Sequence, residues 1–240
     1  MSGEWIDKGV YLLDLGDYEK ATACFEKATL EEPLNAFAWY QRGIASRKLG
    51  NYEEAIQSFD KSVELDPSNA DAWRNRGAAQ NDLGRYAEAL ESSEKSMAID
   101  PTAARTWIVR GFALHNLGKY EDAVASYARA IELNPFGAEG RRAWNNRGAS
   151  LDNLRRHEDA IDSYEEAIMI DPFDAYAWNN KGVAQSALGR HEEAIRCFDK
   201  AIEIQPGYTT ALKNKGVALR ALGRDTEGKE VTSLVRKLDL

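Results

Sequence analysis

The sequence has few of the residues that covalent, metal or membrane chemistry requires. Its 240 residues include only two cysteines and three histidines, so neither a disulfide framework nor a cluster of metal ligands is expected. No apolar run approaches the ~20 residues of a membrane-spanning helix. There is no glycine-rich phosphate loop and no nucleophile–base pair at a recognisable spacing. These absences predict no cofactor, no metal, no membrane partner and no enzymatic activity.

Positive charge is also in short supply. The chain has 31 Lys and Arg against 39 Asp and Glu, a formal net charge of −8, which argues against nonspecific attraction to nucleic acid. Cys24 and Cys197 lie far apart in the sequence, and two unpaired thiols fit a reducing compartment. We therefore expect a cytoplasmic protein with no nucleic-acid partner.

Tryptophan and proline are scarce, and both fall on one period. Successive tryptophans are separated by 34, 34, 34, 37 and 34 residues, and each proline follows a tryptophan by 28 residues. A period near 34 indicates one supersecondary unit that is copied and stacked, because a unit this small cannot bury its own apolar face. The residues are Trp5, Trp39, Trp73, Trp107, Trp144 and Trp178, with Pro33, Pro67, Pro101, Pro135, Pro172 and Pro206.

Each repeat predicts two antiparallel helices, A and B, of about 12 to 14 residues. In the second repeat, helix A stops at Leu49-Gly50, since glycine can take the left-handed conformation that ends a helix. Helix B stops at Asp66-Pro67, because proline cannot continue a helix. A glycine also recurs inside every helix A, which predicts a close approach of helix B. These glycines are Gly9, Gly43, Gly77, Gly111, Gly148, Gly182 and Gly216.

The ordered set of Trp, Leu-Gly, Tyr, Ala, aromatic residue and Pro resembles the tetratricopeptide repeat (TPR) family, and the resemblance covers residues 2–240. It implies an all-α, right-handed superhelical solenoid of about 14 antiparallel helices that forms a single domain. The repeats are 2–35, 36–69, 70–103, 104–140, 141–174, 175–208 and 209–240.

One departure from the family pattern is systematic: a basic residue precedes the helix-A glycine in every repeat. We expect its methylenes to lie over the helix pair while its charged head reaches water. A basic row that faces a ligand is the alternative. This basic row consists of Lys8, Arg42, Arg76, Arg110, Arg147, Lys181 and Lys215.

The period breaks at two places. Three extra residues, 138–140, precede Trp144, and the glycines there favour a longer turn over an added helical turn. We expect the stack to continue with a small change of pitch, a domain boundary being the alternative. In the last repeat Leu212 replaces tryptophan, and one apolar stripe survives on helix B (Val231, Leu234, Val235 and Leu238). Residues 224–240 are therefore expected to form a capping helix.

The first helix is apolar on nearly all sides. A terminal helix of this kind pairs with another chain, accepts a ligand, or continues into a longer protein. A homodimer through the region of Trp5, Ile6, Leu12 and Leu13 is thus one expectation. It supports an alternative function, a structural scaffold that self-associates through its N-terminal helix.

In TPR proteins the A helices line a concave groove that binds ligands, and the resemblance implies the same here. The Trp-Asn-Asn of residues 144–146 recurs at 178–180, and asparagine suits an extended peptide because its amide both donates and accepts. Duplication of a tolerated surface residue is the alternative. The expected groove residues are Tyr40, Ile44, Arg47, Arg74, Ile108, Phe112, Arg142, Asn145, Asn146, Asn179, Asn180, Lys213 and Asn214.

Charge adds a preference to this groove. The helix-A segments, positions 1–14 of each repeat, contain 15 Lys and Arg but 6 Asp and Glu, whereas the rest of the chain contains 16 and 33. A basic inner layer favours an acidic peptide or a C-terminal carboxylate. The main hypothesis is a non-catalytic protein–protein interaction module that binds an extended, acidic peptide or a partner helix in this groove.

Overall fold

A computed structural model describes residues 2–238 of the chain, with the side chains of residues 3–233 and of Val235. Within these residues every regular element is an α-helix, and there are fourteen. The prediction of an all-α chain of about 14 helices is therefore confirmed. The chain divides into two compact units, with unit 1 ending at Lys119 and unit 2 beginning at Tyr120. A single domain over residues 2–240 stays a prediction.

Unit 1 contains the first seven helices, and its A helices begin where the predicted repeats begin. Helix pairs α1–α2, α3–α4 and α5–α6 are each joined by a short turn, and each pair packs on the next. The helices are α1 (Ser2–Asp14), α2 (Tyr18–Glu31), α3 (Ala36–Lys48), α4 (Tyr52–Leu65), α5 (Ala70–Asp82), α6 (Tyr86–Ile99) and α7 (Ala104–Asn116).

Unit 2 repeats this arrangement, with α8 packed on α9 and each later helix packed on its predecessor. The pairs are α9–α10, α11–α12 and α13–α14. The helices are α8 (Tyr120–Leu133), α9 (Gly137–Asn153), α10 (His157–Ile170), α11 (Ala175–Ala187), α12 (His191–Ile204), α13 (Thr209–Ala221) and α14 (Asp225–Leu238).

In repeats 1, 2, 5 and 6 the core of the helix pair includes an aromatic ring of helix B seated on the glycine of helix A. A Cβ atom added to Gly43 would lie 2.6 Å from the ring of Phe59, and Gly182 has the same relation to Phe198. Both rings are buried. The structure thus confirms the expected close approach, and it explains why a residue that disfavours helices recurs inside them.

Hydrogen bonds at the repeat junctions explain why tryptophan and proline share one period. The indole N–H of Trp39 donates to the carbonyl of Pro33, six residues earlier, at 2.9 Å. Trp73, Trp107 and Trp178 make the equivalent bond to the preceding proline at 3.0 Å. The proline that ends one repeat therefore accepts a bond from the first helix of the next.

The turn between helices A and B requires a left-handed residue. Glycine occupies it with φ between 74° and 81° in six repeats, as at Gly50 and Gly189. In repeat 5 the same turn is made by Arg155 with φ of 61°, a conformation that costs a residue with a Cβ atom about 1 to 2 kcal/mol.

The prediction of a longer turn at the three-residue insertion was wrong. The insertion lengthens helix A of repeat 5. Helix α9 has 17 residues, whereas the other A helices have 13. Its glycines serve helix entry. Gly137 has φ of +70°, and a Cβ atom on Gly140 would lie 2.3 Å from the carbonyl oxygen of Pro135. Glycine lets the backbone fold back on that carbonyl, so the helix can begin four residues earlier.

Helix α14 lies within the segment that was expected to cap the stack, and Val231 packs against the core formed by α12 and α13. That this helix acts as a cap stays a prediction. Val235 is buried, while Lys229 and Glu230 are exposed. Leu234 and Leu238 of the predicted apolar stripe, and residues 239–240, lie outside the described side chains. Each helix within residues 2–238 falls short of the length or apolar character that crossing a bilayer requires.

Candidate functional site

Members of the basic row lie against helix B of the preceding repeat or of their own repeat. Lys181 is 2.7 Å from Glu165, and its ammonium group stands 5.7 Å from the centroid of the Trp178 ring. Arg76 bonds Asp60 at 2.6 Å and lies over Trp73 in the same way. These charged heads bind acidic residues and aromatic faces within the stack, so they contribute to packing between repeats and not to a basic ligand surface.

In unit 1 the predicted groove residues are largely engaged within the chain. Tyr40 and Ile44 pack against the buried cluster around Phe59, and Ile108 is buried. Much of their apolar surface therefore packs within the core.

The predicted cations of unit 1 are paired. Arg47 is 2.8 Å from Asp82 of the next repeat, and Arg74 pairs with Asp71 one turn earlier. Phe112 remains 40% exposed, with its ring edge-on to Tyr86. The helix-A face of unit 1 consequently presents little unsatisfied charge.

In unit 2 the predicted asparagines form a hydrogen-bonded network across three A helices. Asn214 on α13 donates to Oδ1 of Asn179 on α11 at 2.9 Å, and Asn179 donates to Asn180 at 3.3 Å. Asn180 in turn donates to Oδ1 of Asn145 on α9 at 3.2 Å. The bonds run in one direction, from Asn214 through Asn179 and Asn180 to Asn145, so each amide polarises the next.

The network leaves hydrogen-bonding capacity at both ends. A primary amide has two N–H donors and an oxygen with two lone pairs. Among the residues that the structure describes, Asn145 acts in the network only as an acceptor and Asn214 only as a donor. Both side chains are half-buried. Donors at Asn145 and an acceptor at Asn214 thus remain for a ligand.

The fifth asparagine, Asn146, belongs to packing within unit 2. It forms a side-chain hydrogen bond with Tyr127, a nearly fully buried residue on α8. Burial raises the pKa of Tyr127, while the charge of Arg142 and the bond from Asn146 act in the opposite direction. Asn146 therefore anchors α9 to α8.

Unpaired positive charge accompanies the network. Arg142 lies one helical turn before Asn145, and Lys213 occupies the register of Asn145 two repeats later; both are exposed. Once the basic row is set aside, the helix-A segments of unit 1 hold four basic and five acidic residues, whereas those of unit 2 hold four and one. The basic excess of the helix-A layer thus belongs to unit 2.

Sequence reasoning missed several exposed apolar side chains on the A helices. Tyr176 is 58% exposed and shares the register of Arg142, while Val183 and Val217 are 41% and 58% exposed in the register of Ile44 and Phe112. Phe37 is the unit 1 counterpart of Tyr176. The shared register was a signal that could have identified them. The helix-A face of unit 2 therefore combines amides, cations and apolar contacts.

The N-terminal helix buries much of the surface that was expected to dimerise. Leu12 and Leu13 pack against the cluster of Phe25 and Ala45, and Trp5 donates to Glu31 at 3.2 Å. Tyr11 and Leu15 are exposed by 64% and 63%. A contact with another chain would have to use these two residues.

Histidine and cysteine side chains are few and dispersed. Within the described part of the chain, no three His, Cys, Asp or Glu residues converge as metal ligands. His157 Nδ1 lies 3.0 Å from Asp152, which also accepts a bond from the hydroxyl of Tyr164 at 2.9 Å. Burial raises the pKa of Asp152, and the bonds from His157 and Tyr164 oppose that effect. This cluster joins α9 to α10.

Comparison with known proteins gives one family. Models described as tetratricopeptide repeat match residues 6–70, 47–104, 111–175 and 175–208. No curated protein matches.

Solved structures share the fold. The crystal structure of MamA is 29% identical, with a TM-score of 0.61, over 68% of this chain and 94% of that one. YrrB, described as a TPR protein with an unusual peptide-binding site, is 28% identical, with a TM-score of 0.62, over 80% of this chain and 97% of its own. A tetratricopeptide repeat protein from Parabacteroides merdae is 19% identical with a TM-score of 0.76, covering 99% and 96%; at this identity the likeness concerns the fold alone.

Proposed function

The chain belongs to the tetratricopeptide repeat family, and from that premise we propose that it is a non-catalytic protein–protein interaction module. Its ligand is an extended, acidic peptide held along the A helices of unit 2. The observation that carries this proposal is the asparagine network with its unused donors at Asn145 and acceptor at Asn214. The peptide-binding site described for YrrB supports the class of ligand.

The network suits a peptide backbone because the peptide needs partners for both its N–H and its C=O groups. Asn145 donates to a carbonyl and Asn214 accepts from an N–H. The bonds among the amides hold each one in a fixed orientation, so little side-chain entropy is lost on binding. Recognition of this kind reads the backbone and leaves sequence preference to other residues.

Sequence preference comes from Arg142 and Lys213. A carboxylate that enters beside Asn145 lies within reach of the Arg142 guanidinium, which binds carboxylates bidentately. The carboxylate is either an Asp or Glu side chain or the C-terminus of the ligand. Exposed Tyr176, Val183 and Val217 supply apolar contacts on the same A helices.

Fluorescence anisotropy with a labelled, Asp- and Glu-rich peptide and its Lys-rich counterpart tests the proposal. We expect the acidic peptide to bind more tightly, and the double variant Asn145→Ala/Asn180→Ala to weaken it by about tenfold or more, which is ~1.4 kcal/mol. The matched control is Asn75→Ala in unit 1, where the same type of amide bonds Tyr40 at 3.2 Å.

The control should leave the affinity for the acidic peptide unchanged. A basic peptide whose binding is weakened by the double variant, or equal losses of the acidic peptide from Asn75→Ala and the double variant, would refute the proposed site. Thermal unfolding of each variant separates a lost contact from a lost fold.

The scaffold function is the second candidate, because Tyr11 and Leu15 are exposed on α1. Sedimentation over a range of concentrations tests it. If two chains join through α1, Tyr11→Glu should abolish a concentration-dependent dimer. Leu12→Glu would not be informative, since Leu12 packs into the chain's own core. A monomer at every concentration would exclude the scaffold.

We also propose the cytoplasm as the location. Cys24 and Cys197 are both free and buried, which supports a compartment that keeps thiols reduced.

A further inference from the structure

Repeat 5 departs from the other inner repeats at one surface position of helix B. Position 26, counted from the first residue of each repeat, is basic in five of the first six repeats and acidic in the fifth. These residues are Lys27, Lys61, Lys95, Arg129, Glu166 and Lys200. All six repeats form the same two helices, so packing of the helices does not require the charge reversal in repeat 5.

The neighbouring position 29 changes with it. In repeats 2, 4 and 6 the basic residue pairs with a glutamate three residues later. These pairs are Lys61–Glu64 at 2.7 Å, Arg129–Glu132 at 2.7 Å and Lys200–Glu203 at 2.8 Å. In repeat 5 both partners are replaced, by Glu166 and Met169, and Met169 is 68% exposed. Repeats 1 and 3 also have an apolar residue at position 29, Leu30 and Ala98, but there the residue at position 26 stays basic. Repeat 5 alone combines a carboxylate at position 26 with an apolar side chain at position 29.

A shallow pocket of about 520 Å³ coincides with this change. One wall is a single stripe of α10, formed by Asp162, Glu165, Glu166 and Met169, which are spaced so that they share a helix face. The opposite wall is Lys181 on α11. The pocket belongs to unit 2 and involves none of the asparagines.

The pocket carries net negative charge. Glu165 is neutralised by Lys181 at 2.7 Å. In the described part of the chain neither Asp162 nor Glu166 forms an ion pair, and Asp162 is exposed. Helix α10 has five acidic residues and no lysine or arginine. Glu158 and Asp159 pair with Arg190 and Arg156 outside the pocket, and Arg147 acts on Asp162 through its charge. Glu166 is the carboxylate that no cation pairs with in the described residues.

We propose that this pocket, defined by Asp162, Glu166 and Met169, is a second docking site that binds a basic amphipathic helix of a partner protein. Lysine or arginine side chains of the partner pair with Asp162 and Glu166, and a large apolar side chain one or two turns further along covers Met169. Charge complementarity selects this occupant: an acidic segment, such as the peptide of the first site, is repelled. Methionine suits such a surface because its flexible side chain adapts to different partners.

The test uses the full chain and a fluorescent helix-forming peptide of about 15 residues with Lys and Leu on one face. A second peptide has Glu in place of each Lys. The double variant Glu166→Lys/Met169→Glu restores the sequence pattern of repeats 2 and 6, so it should keep the fold. We expect it to weaken binding of the basic peptide by about tenfold or more. The matched control, Lys200→Ala/Glu203→Ala, changes the same positions one repeat later and should leave binding unchanged.

The groove variant Asn145→Ala/Asn180→Ala separates the two sites, since it should keep full affinity for the basic peptide even if the proposed function fails. The proposal is overturned if the basic peptide does not bind, if it binds equally to the restored variant, or if the groove variant loses it. An equal loss of the Glu-containing peptide in Glu166→Lys/Met169→Glu would also overturn it, since the pocket would then not distinguish the two charges. So would sedimentation showing that a second copy of the chain, displaced by Glu166→Lys/Met169→Glu, occupies the pocket.

Discussion

The helix-A faces of the two units differ in how many of their polar and charged side chains have partners within the chain. In unit 1 the predicted cations of this face are neutralised by ion pairs such as Arg47–Asp82. Tyr40 and Ile44 pack against the core. In unit 2 the register of Tyr40 holds Asn145 and Asn179, which join the amide network, and Arg142 and Lys213 remain exposed. Apart from the longer α9, the A helices of the two units have the same length. The difference between the faces lies in residues outside the core.

If the scaffold is equivalent in both units, loss of its core ring should have the same large effect in each. Phe59→Ala and Phe198→Ala each remove a buried ring from above a glycine. Each should lower the free energy of unfolding by about 3 to 5 kcal/mol, measured by urea unfolding followed by circular dichroism. Phe112→Ala, at a 40% exposed position, is the control and should cost far less. A marked inequality between Phe59 and Phe198 would mean that the units differ in more than their surfaces.

Charge removal should affect binding in one unit only. Arg142→Gln/Lys213→Gln should weaken the acidic peptide by about tenfold at low ionic strength and flatten its dependence on salt. Arg47→Gln/Arg74→Gln in unit 1 should change little, because Asp82 and Asp71 already neutralise those charges. Isothermal titration at two salt concentrations measures both. Similar losses of affinity from the two double variants would contradict the difference in charge between the two helix-A faces.

The left-handed turn of repeat 5 offers a gain of stability in unit 2. Arg155→Gly should raise the free energy of unfolding by about 1 kcal/mol, since glycine adopts positive φ without the clash of a Cβ atom. The reverse change at the equivalent turn, Gly189→Arg, should lower it by a similar amount. Thermal and urea unfolding of both variants measure this. No gain in Arg155→Gly would show that contacts of the arginine compensate its backbone.

The smallest expected effect concerns pH at position 12, which is His115 in unit 1 and Asp152 in unit 2. Burial lowers the pKa of His115 from its usual 6.5, so the unfolded state binds the proton first and stability falls as pH drops below about 6.5. Burial raises the pKa of Asp152 above 3.8, so the folded state holds that proton longer and stability falls as pH rises through that window.

Urea midpoints measured across this pH range test the opposite signs. His115→Gln should remove part of the decline on the acid side, and Asp152→Asn should remove the decline just above pH 3.8. The pair is informative because both residues occupy the same position of consecutive repeats. If His115→Gln leaves the pH profile unchanged, the protonation of His115 is not linked to folding.

The helices could be predicted well from the sequence because the same packing residues recur at the same positions in successive repeats. The starts of α3, α5, α11 and α13 match the predicted repeats. The close approach of helix B was predicted from the recurring glycine, but the contact of Gly43 with the Phe59 ring was not. The insertion was predicted wrongly because a glycine can either end a helix or allow a close approach of a carbonyl group. The approach of the Pro135 carbonyl to Gly140 depends on the folded backbone and is not visible in the sequence.

The candidate site was less accessible to sequence reasoning. The residue types and registers of Asn145 and Asn180 were visible, but their bond joins side chains 35 residues apart and depends on how successive A helices align. The position of Lys181 over Trp178 and beside Glu165 likewise follows from stacking. Charge counted along the chain therefore overstated the basic character of the helix-A layer.

The bond from each indole to the preceding proline has a spectroscopic consequence. Trp39, Trp73, Trp107 and Trp178 each sit at a different junction with the same N–H···O geometry. Variants that keep a single tryptophan would therefore report, by emission wavelength, on one junction at a time. The chain carries its own set of evenly placed optical probes, with which the order of unfolding along the stack can be followed without added labels.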